Sequence, residues 1–206
     1  STDDVAAVHR ALGFPSKPSA LPKRIGVARA DVESADDDVQ QLMHRAMRAL
    51  EAAGCDLVDV QWPDAEKTFV TSTAIMFSEA AAIHEHALSE DPGRYGSDIR
   101  ARLDLGAHLT SIEVATAHEY RRQLIAEVMA TLVDVDVIIG PTTPMVAPLV
   151  TLASDPALPP RIVSNTRLGN VVGLPAISLP LPSPKAPVGL QVLGAHDHQL
   201  LAAAAA

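Results

Sequence analysis

Ser178 lies in a segment rich in proline and glycine, residues 169–194, and is the first serine to consider as a nucleophile. Nucleophilic serines of many hydrolases sit on a Gly-x-Ser-x-Gly turn that exposes the hydroxyl. Ser178 is instead flanked by Ile177 and Leu179, as expected for a residue inside a strand. We therefore predict a structural serine that is hydrogen-bonded within a sheet, with glycines and prolines that fix the bends around it.

The histidines and the single cysteine are the next candidates, as metal ligands or nucleophiles. His84 and His86 are two residues apart on a predicted helix and so point in different directions, whereas His196 and His198 flank an aspartate at the start of a predicted last helix. A zinc site needs about three or four converging ligands, which neither pair supplies. Cys55 opens a predicted strand without a second cysteine, so we expect it to be buried rather than reactive. The sequence predicts no metal site and no cofactor.

Arg121 and Arg122 lie in the middle of a predicted helix, beside its apolar stripe. One of the two should face inward, where a guanidinium needs an anion or a hydrogen-bond acceptor as its partner. Two interpretations stay open: a structural salt bridge, which is the more common case, and the anchoring of a substrate anion. The stripe consists of Ala117, Leu124, Ile125 and Val128.

Thr142 and Thr143 lie in the loop 140–144, which follows a strongly apolar run. In α/β sheets, ligands bind at the carboxyl ends of the strands. The two hydroxyls are therefore candidates for substrate binding, although a capped turn explains the same residues equally well.

The elements that would position these residues follow an α/β pattern. Residues 23–29 and 55–62 are predicted strands on either side of an amphipathic helix that ends at Gly54. A strand–helix–strand unit of this length predicts parallel strands. The apolar run 135–139 predicts a strand that is buried on both faces.

Further helices and short strands complete the pattern. The Ala-rich stretch 67–88 is a predicted helix, and Thr110 or Ser111 should cap the helix 111–133, with Glu113 close behind. We predict an α/β fold with a mixed β-sheet flanked by helices. The remaining predicted elements are helices at 1–12, at 97–105 and after His196, and strands at 176–180 and 188–194.

The composition excludes several classes of function. Sixteen Lys and Arg against 25 Asp and Glu give a net charge of −9, which disfavours binding to nucleic acids and docking on anionic membranes. No apolar run approaches the ~20 residues that span a bilayer, and the start shows no signal-peptide pattern. One cysteine cannot form an internal disulfide, which fits a cytoplasmic location.

Several stretches together resemble the C-terminal half of an amidase-signature enzyme. Residues 117–148 are similar to the family's helix with an Ala-x-x-x-Arg step, here ending at Arg121, followed by a strand and a Pro-Thr-x-Pro loop. Residues 165–206 resemble its Asn-x-x-Gly-Leu-Pro-Ala segment, its Pro-x-Gly-Leu-Gln strand and its closing Ala-rich helix. Residues 1–12 and 21–29 resemble the helix and the strand that follow the signature region.

The resemblance implies hydrolysis of a carboxylic amide by a Ser–Ser–Lys triad. In the family, the lysine polarises a serine held by a cis peptide, and that serine takes the proton from the nucleophile. Backbone N–H groups of a glycine-rich loop stabilise the oxyanion. All of these groups precede the region that this chain resembles, and we find neither a serine- and glycine-rich signature nor a lysine in the right context. We therefore expect no catalytic residue in this chain and no amidase activity from it alone.

The resemblance implies that the chain supplies a wall of the substrate pocket. In the amidotransferase branch, the arginine of the Ala-x-x-x-Arg step anchors the substrate carboxylate, and Arg121 holds that position. Thr142 and Thr143 would lie near the pocket mouth. A small-molecule amide is the expected ligand of the full protein.

Position 163 separates two branches of the family. The amidotransferase branch has an aspartate seven residues before the asparagine that matches Asn170, whereas this chain has Val163. This favours a stand-alone amidase over a component of a glutamine-specific amidotransferase. Asn165 and Asn170 are expected to hold backbone loops rather than substrate.

Both ends of the sequence lie within predicted helices, so we expect a fragment: a single C-terminal portion of an amidase-signature domain over 1–206, with a βαβ unit at 23–62 and the family block at 117–206. Half of a shared sheet would expose a strand edge, which predicts homo-oligomerisation or association through that edge. The alternative is a free-standing, non-catalytic α/β module that binds a protein partner.

Overall fold

A computed structural model describes residues 2–12, 22–152, 155, 157–183 and 186–196. The chain divides into two compact units. The first, here called the sheet unit, comprises Ser1–Trp62 and Glu127–Ala206; the second, the helical unit, comprises Pro63–Ala126. The predicted single portion over 1–206 stays a prediction, and the predicted last helix lies outside the described residues.

The predicted helices and strands that the structure describes occur in the predicted order, and three short helices that were not predicted, Arg29–Glu33, Leu158–Ile162 and Ser164–Val172, are added to them. The helices are α1 (Thr2–Ala11), α2 (Arg29–Glu33), α3 (Asp37–Ala52), α4 (Ala65–Glu90), α5 (Ser97–Ala107), α6 (Ser111–Asp134), α7 (Leu158–Ile162) and α8 (Ser164–Val172). The strands are β1 (Arg24–Val27), β2 (Asp56–Asp59), β3 (Val137–Pro141), β4 (Ala176–Leu181) and β5 (Val188–Leu193). Short 3₁₀ turns occupy Pro92–Arg94 and Val150–Leu152. Among the described residues, no helix is long and apolar enough to cross a membrane.

The predicted strand–helix–strand unit is confirmed in the sheet unit. β1 and β2 pair in parallel, with Arg24 opposite Asp56. Between them, α3 buries one stripe of side chains against the sheet, because its apolar residues recur at helical spacing. Gly54 follows the helix with a φ of 92°, a backbone conformation that favours glycine. The buried stripe is Val39, Leu42, Met43 and Met47.

β3 lies in the middle of a five-stranded sheet of order β2-β1-β3-β5-β4. It pairs in parallel with β1 and antiparallel with β5, so the predicted mixed sheet is confirmed. All five of its residues are buried, as the apolar run predicts. Val137 and Ile139 belong to the larger core cluster, and Ile138 belongs to a second cluster with Ala28 and Val135.

Among the described residues, β4 is one of the two edge strands of the sheet, with β2 at the other edge, and it pairs antiparallel with β5 alone. Exposed and half-buried residues alternate along it, because successive side chains of a strand point to opposite faces. Ile177, Leu179 and Leu181 pack against the larger core cluster, whereas Ser178 is exposed.

In the helical unit, α4 and α5 approach closely at Gly106. A Cβ on that glycine would lie 2.0 Å from the backbone oxygen of Phe77, so no larger residue fits without a shift of the backbone. α6 begins at a capping box: the backbone N–H of Thr110 donates to Glu113 over 2.7 Å, and the N–H of Glu113 donates to the Thr110 hydroxyl over 3.2 Å. The predicted cap is therefore confirmed at Thr110. These hydrogen bonds lower the pKa of the Glu113 carboxyl, the backbone bond most.

Candidate functional site

The hydroxyls of Thr142 and Ser178 form a hydrogen bond of 2.6 Å. Thr142 directly follows β3, and Ser178 lies on β4, so the bond passes over the intervening strand β5 at Gly189. The backbone N–H of Thr142 also donates to the Gly189 carbonyl over 2.8 Å. The prediction that Ser178 is a hydrogen-bonded strand residue is confirmed, and its partner is one of the two predicted pocket threonines.

Gly189 leaves the space that the hydroxyl pair fills. A Cβ on this residue would lie 2.3 Å from the Ser178 hydroxyl and 2.6 Å from that of Thr142. Because heavy atoms do not approach so closely, any side chain at position 189 would displace the pair. Glycine is therefore required here by a close approach.

Two buried side-chain amides hold the turn that carries Thr142. Asn165 on α8 donates to the carbonyl of Pro141 over 2.9 Å, and Gln191 on β5 donates to the backbone carbonyl of Asn165 over 3.2 Å. The prediction that Asn165 holds a backbone loop is confirmed. Asn170 is exposed on the same helix, and its expected role stays a prediction.

Thr143, the second predicted pocket threonine, is half-buried, and its hydroxyl donates to the backbone carbonyl of Met145 over 2.8 Å. This bond is typical of a hydroxyl that stabilises its own turn. Among the contacts of the described residues, Thr142 is paired with a side chain from another strand and Thr143 is not. The role of either residue in substrate binding stays a prediction.

The two arginines of α6 differ in burial. Arg122 is exposed and forms an ion pair with Glu119 one turn earlier, whereas Arg121 is half-buried. Arg121 is therefore the more inward-facing of the two, as the apolar stripe predicts. It belongs to the helical unit, while Thr142 and Thr143 belong to the sheet unit. A common pocket of these three residues stays a prediction.

Asp31 is a carboxylate near the carboxyl end of β3 that the sequence did not single out. It lies on α2, just after the carboxyl end of β1, and its carboxyl oxygen is close to the carboxyl end of β3, 3.9 Å from where a Cβ on Gly140 would lie. Burial raises the pKa of the Asp31 carboxyl to about 6, and a hydrogen bond with the Trp62 side chain acts in the opposite direction. The available signal was its position four residues after the end of the buried strand β1.

His84, His86 and Cys55 have ordinary local partners. The His84 ring nitrogen lies 3.1 Å from the Tyr95 hydroxyl, and His86 lies 3.5 Å from the carboxylate of Glu90. Cys55 is half-buried, with its sulfur 3.6 Å from the carbonyl oxygen of Pro22. In the part of the chain that the structure describes, no three His, Cys, Asp or Glu side chains are placed to hold a metal ion. His198 lies outside that part.

Val163 stands between α7 and α8 and is 43% exposed. It carries no polar group at the position where the amidotransferase branch of the family is expected to have an aspartate. Arg161, two residues earlier, forms an ion pair of 2.5 Å with Asp36. Arg161, which is near position 163, is therefore already paired with a carboxylate of the chain itself.

Comparison with known sequences gives a consistent assignment over most of the chain. The family model described as Amidase matches residues 1–201. An amidase from Pseudomonas putida is 32% identical over 152 residues, which cover 70% of this chain and 33% of that protein. The A subunit of the glutamyl-tRNA(Gln) amidotransferase from Legionella pneumophila (strain Corby) is 27% identical, with 99% of this chain and 52% of that protein covered. The chain thus spans about half or less of the length of these relatives.

Solved structures agree with this similarity. A crystal structure of an amidase superposes with a TM-score of 0.88 at 25% identity, covering 100% of this chain and 49% of the other. A bacterial aryl acylamidase superposes with a TM-score of 0.75 at 17% identity, covering 90% of this chain and 43% of the other. At that lower identity the likeness shows the fold alone.

Proposed function

The chain belongs to the amidase-signature family, and we propose that it is the C-terminal part of an amidase that hydrolyses the C–N bond of a small carboxylic amide. The observation that carries the proposal is the family match over residues 1–201. The relatives named amidase and the superposition on an amidase structure support the same reaction. A free-standing binding module is less favoured, because the match covers almost the whole chain.

The proposed mechanism uses a Ser–Ser–Lys triad that this chain does not supply. The resemblance places the lysine, both serines and the oxyanion loop before the region to which this chain corresponds. Ser178 is not proposed as a nucleophile, since its hydroxyl pairs with Thr142 and no histidine or lysine is among the contacts described for it. A serine- and glycine-rich stretch in the coding sequence upstream of Ser1 would support this division, and its absence would contradict it.

The proposed role of this chain is to form one wall of the substrate pocket. Arg121 would anchor an anionic group of the substrate, since a half-buried guanidinium forms charge-assisted hydrogen bonds with a carboxylate. Thr142 and Thr143 would line the mouth. Val163 stands where the amidotransferase branch is expected to have an aspartate, which favours a stand-alone amidase over a component of an amidotransferase.

The role of Arg121 is tested by comparing the hydrolysis of amides with and without a carboxylate. The assay uses a longer protein in which the proposed N-terminal part of the amidase domain is present. We expect Arg121→Met to lower kcat/KM for the carboxylate-bearing amide about 10- to 100-fold and to leave the neutral amide nearly unchanged. Arg122→Met is the matched control, because Arg122 is exposed on the same helix. Equal losses for both amides would remove the anchoring role.

The edge strand β4 is the surface through which we propose that the chain associates. Among the described residues it pairs with β5 alone and leaves its other edge unpaired. Unpaired strand edges favour pairing with another chain or segment. The proposed occupant is the remaining part of the amidase domain, or a second copy in its absence. Sedimentation of the 206-residue chain should show self-association, and a clean monomer at high concentration would contradict this.

A further inference from the structure

The Thr142–Ser178 hydroxyl pair has a fixed position on the sheet. The backbone N–H of Thr142 donates a hydrogen bond of 2.8 Å to the Gly189 carbonyl, and its hydroxyl forms a hydrogen bond of 2.6 Å with Ser178. The hydroxyl pair lies directly against Gly189, where a Cβ would clash with both oxygens. Ser178 is exposed and Thr142 half-buried, so the pair is accessible on one side.

The chemistry of the pair determines which ligand group it fits. Each hydroxyl has one proton and two lone pairs, and one of the two protons is used in the bond between them. The pair therefore offers one free O–H donor and several acceptor lone pairs, without a formal charge. A neutral amide complements this set with its C=O acceptor and N–H donors. A carboxylate accepts only, and gains most from charged or multiple donors.

Asn165 and Gln191 fix the turn before any ligand arrives. They are 6% and 5% exposed, and both donate to backbone carbonyls along the path Gln191 to Asn165 to Pro141, the residue before Thr142. Buried polar groups that are fully hydrogen-bonded specify one arrangement. A binding group held in this way loses little freedom on binding, which increases affinity.

We propose that the Thr142–Ser178 pair binds a neutral amide group, and that Asn165 and Gln191 are positioning residues for it. The inference rests on the proposed amidase function for the class of ligand, and it adds Ser178, Asn165 and Gln191 to the site. Ser178 thus contributes to binding without acting as a nucleophile.

The test titrates the isotopically labelled 206-residue chain with isobutyramide and with isobutyrate, which have nearly the same shape. Isobutyramide should shift the amide resonances of Thr142 and Ser178, with an apparent affinity at least about tenfold higher than that of isobutyrate. Ser178→Ala and Thr142→Val should each weaken the response at least about fivefold while resonances far from β4 stay in place. An equal response to isobutyrate, or an unchanged response in both variants, would overturn the proposal.

The positioning role is tested with Gln191→Met, which keeps the length of the side chain and removes its donor. We expect faster hydrogen exchange at the Thr142 N–H and weaker isobutyramide binding. Val192→Ala is the matched control on the same strand: it destabilises the core and should leave the affinity unchanged. If both variants lower the melting temperature and neither changes the affinity, Gln191 has a structural role only.

These outcomes are separable from the proposed hydrolysis. Amide binding at the pair without turnover by the completed protein would keep this inference and remove the proposed function. Turnover without an amide-selective response at Thr142 and Ser178 would support the proposed function and overturn this inference.

Discussion

In the sheet unit, β1 and β3 bury almost every residue, whereas in the helical unit large apolar side chains stay exposed along α4. Phe69, Met76 and Ile83 are 39%, 51% and 76% exposed, and their spacing of seven residues puts them on one stripe of the helix. The helical unit also contains a close approach between two helices, where Gly106 lies directly against the backbone of Phe77. The sheet unit therefore depends mainly on apolar burial, whereas in the helical unit the close approach of two helices acts together with the burial of Leu103, Ala117 and Leu124.

The largest expected effect comes from removing that close approach. Gly106→Ala should destabilise the helical unit by about 3 kcal/mol, because its Cβ would lie 2.0 Å from a backbone oxygen that has little room to move. Hydrogen exchange should show loss of protection in α4 and α5 and retained protection in β1 and β3. An exposed position on the same helix provides the control, Arg102→Ala, which should change stability by less than about 0.5 kcal/mol. If Gly106→Ala lowers the hydrogen-exchange protection equally in both units, the two units do not unfold independently.

A smaller effect is expected in the sheet unit from Asp31. Its raised pKa of about 6 means that the folded chain keeps a proton that the unfolded chain, with a value near 3.8, releases. The unfolding free energy should therefore fall as the pH rises from about 4 to about 6, and then level off. Asp31→Asn should stabilise the chain by about 2 kcal/mol at pH 7 and change little near pH 4. Denaturant titrations at several pH values measure this.

Glu51→Gln serves as the matched control for that titration, since Glu51 is an exposed carboxylate at the end of α3. It should leave the pH dependence as it is in the unmodified chain. The contradicting result would be a free energy of unfolding that rises between pH 4 and 6 in the wild-type chain but not in Asp31→Asn. A pH dependence of that sign would contradict burial as the cause of the raised pKa.

The smallest expected effect comes from the capping box of α6. Thr110→Ala removes a hydroxyl that accepts from Glu113 and should cost about 1 kcal/mol of helix stability. Thr116→Ala, at an exposed interior position of the same helix, should be neutral or slightly stabilising because alanine is the better helix former. Thermal unfolding of the two variants checks the difference, and equal effects would show that the cap contributes nothing.

Local patterns predicted much of this molecule. The spacing of Thr110 and Glu113 predicted the capping box, and the apolar run 135–139 predicted the buried strand β3. Both features depend on residues that are close in sequence. The parallel pairing of β1 and β2 also followed, because a helix of that length between two strands leaves few topologies.

The site features that the sequence did not predict depend on distant segments. Asp31 is half-buried near Gly140 and hydrogen-bonded to Trp62, and both of these residues lie far from it in the chain. The Thr142–Ser178 bond arises because β5 is placed between β3 and β4. Neither arrangement has a local sequence pattern, since strand order is set by the whole sheet. The family block of the sequence, by contrast, indicates an amidase independently of this geometry.

Hydrolysis of a panel of simple amides by the purified 206-residue chain tests the central claim most directly, that this chain is a scaffold and pocket wall without the nucleophile. We expect no turnover above the buffer rate, because the proposed triad lies outside the chain and Ser178 is paired with Thr142. Measurable turnover that Ser178→Ala abolishes would contradict the account.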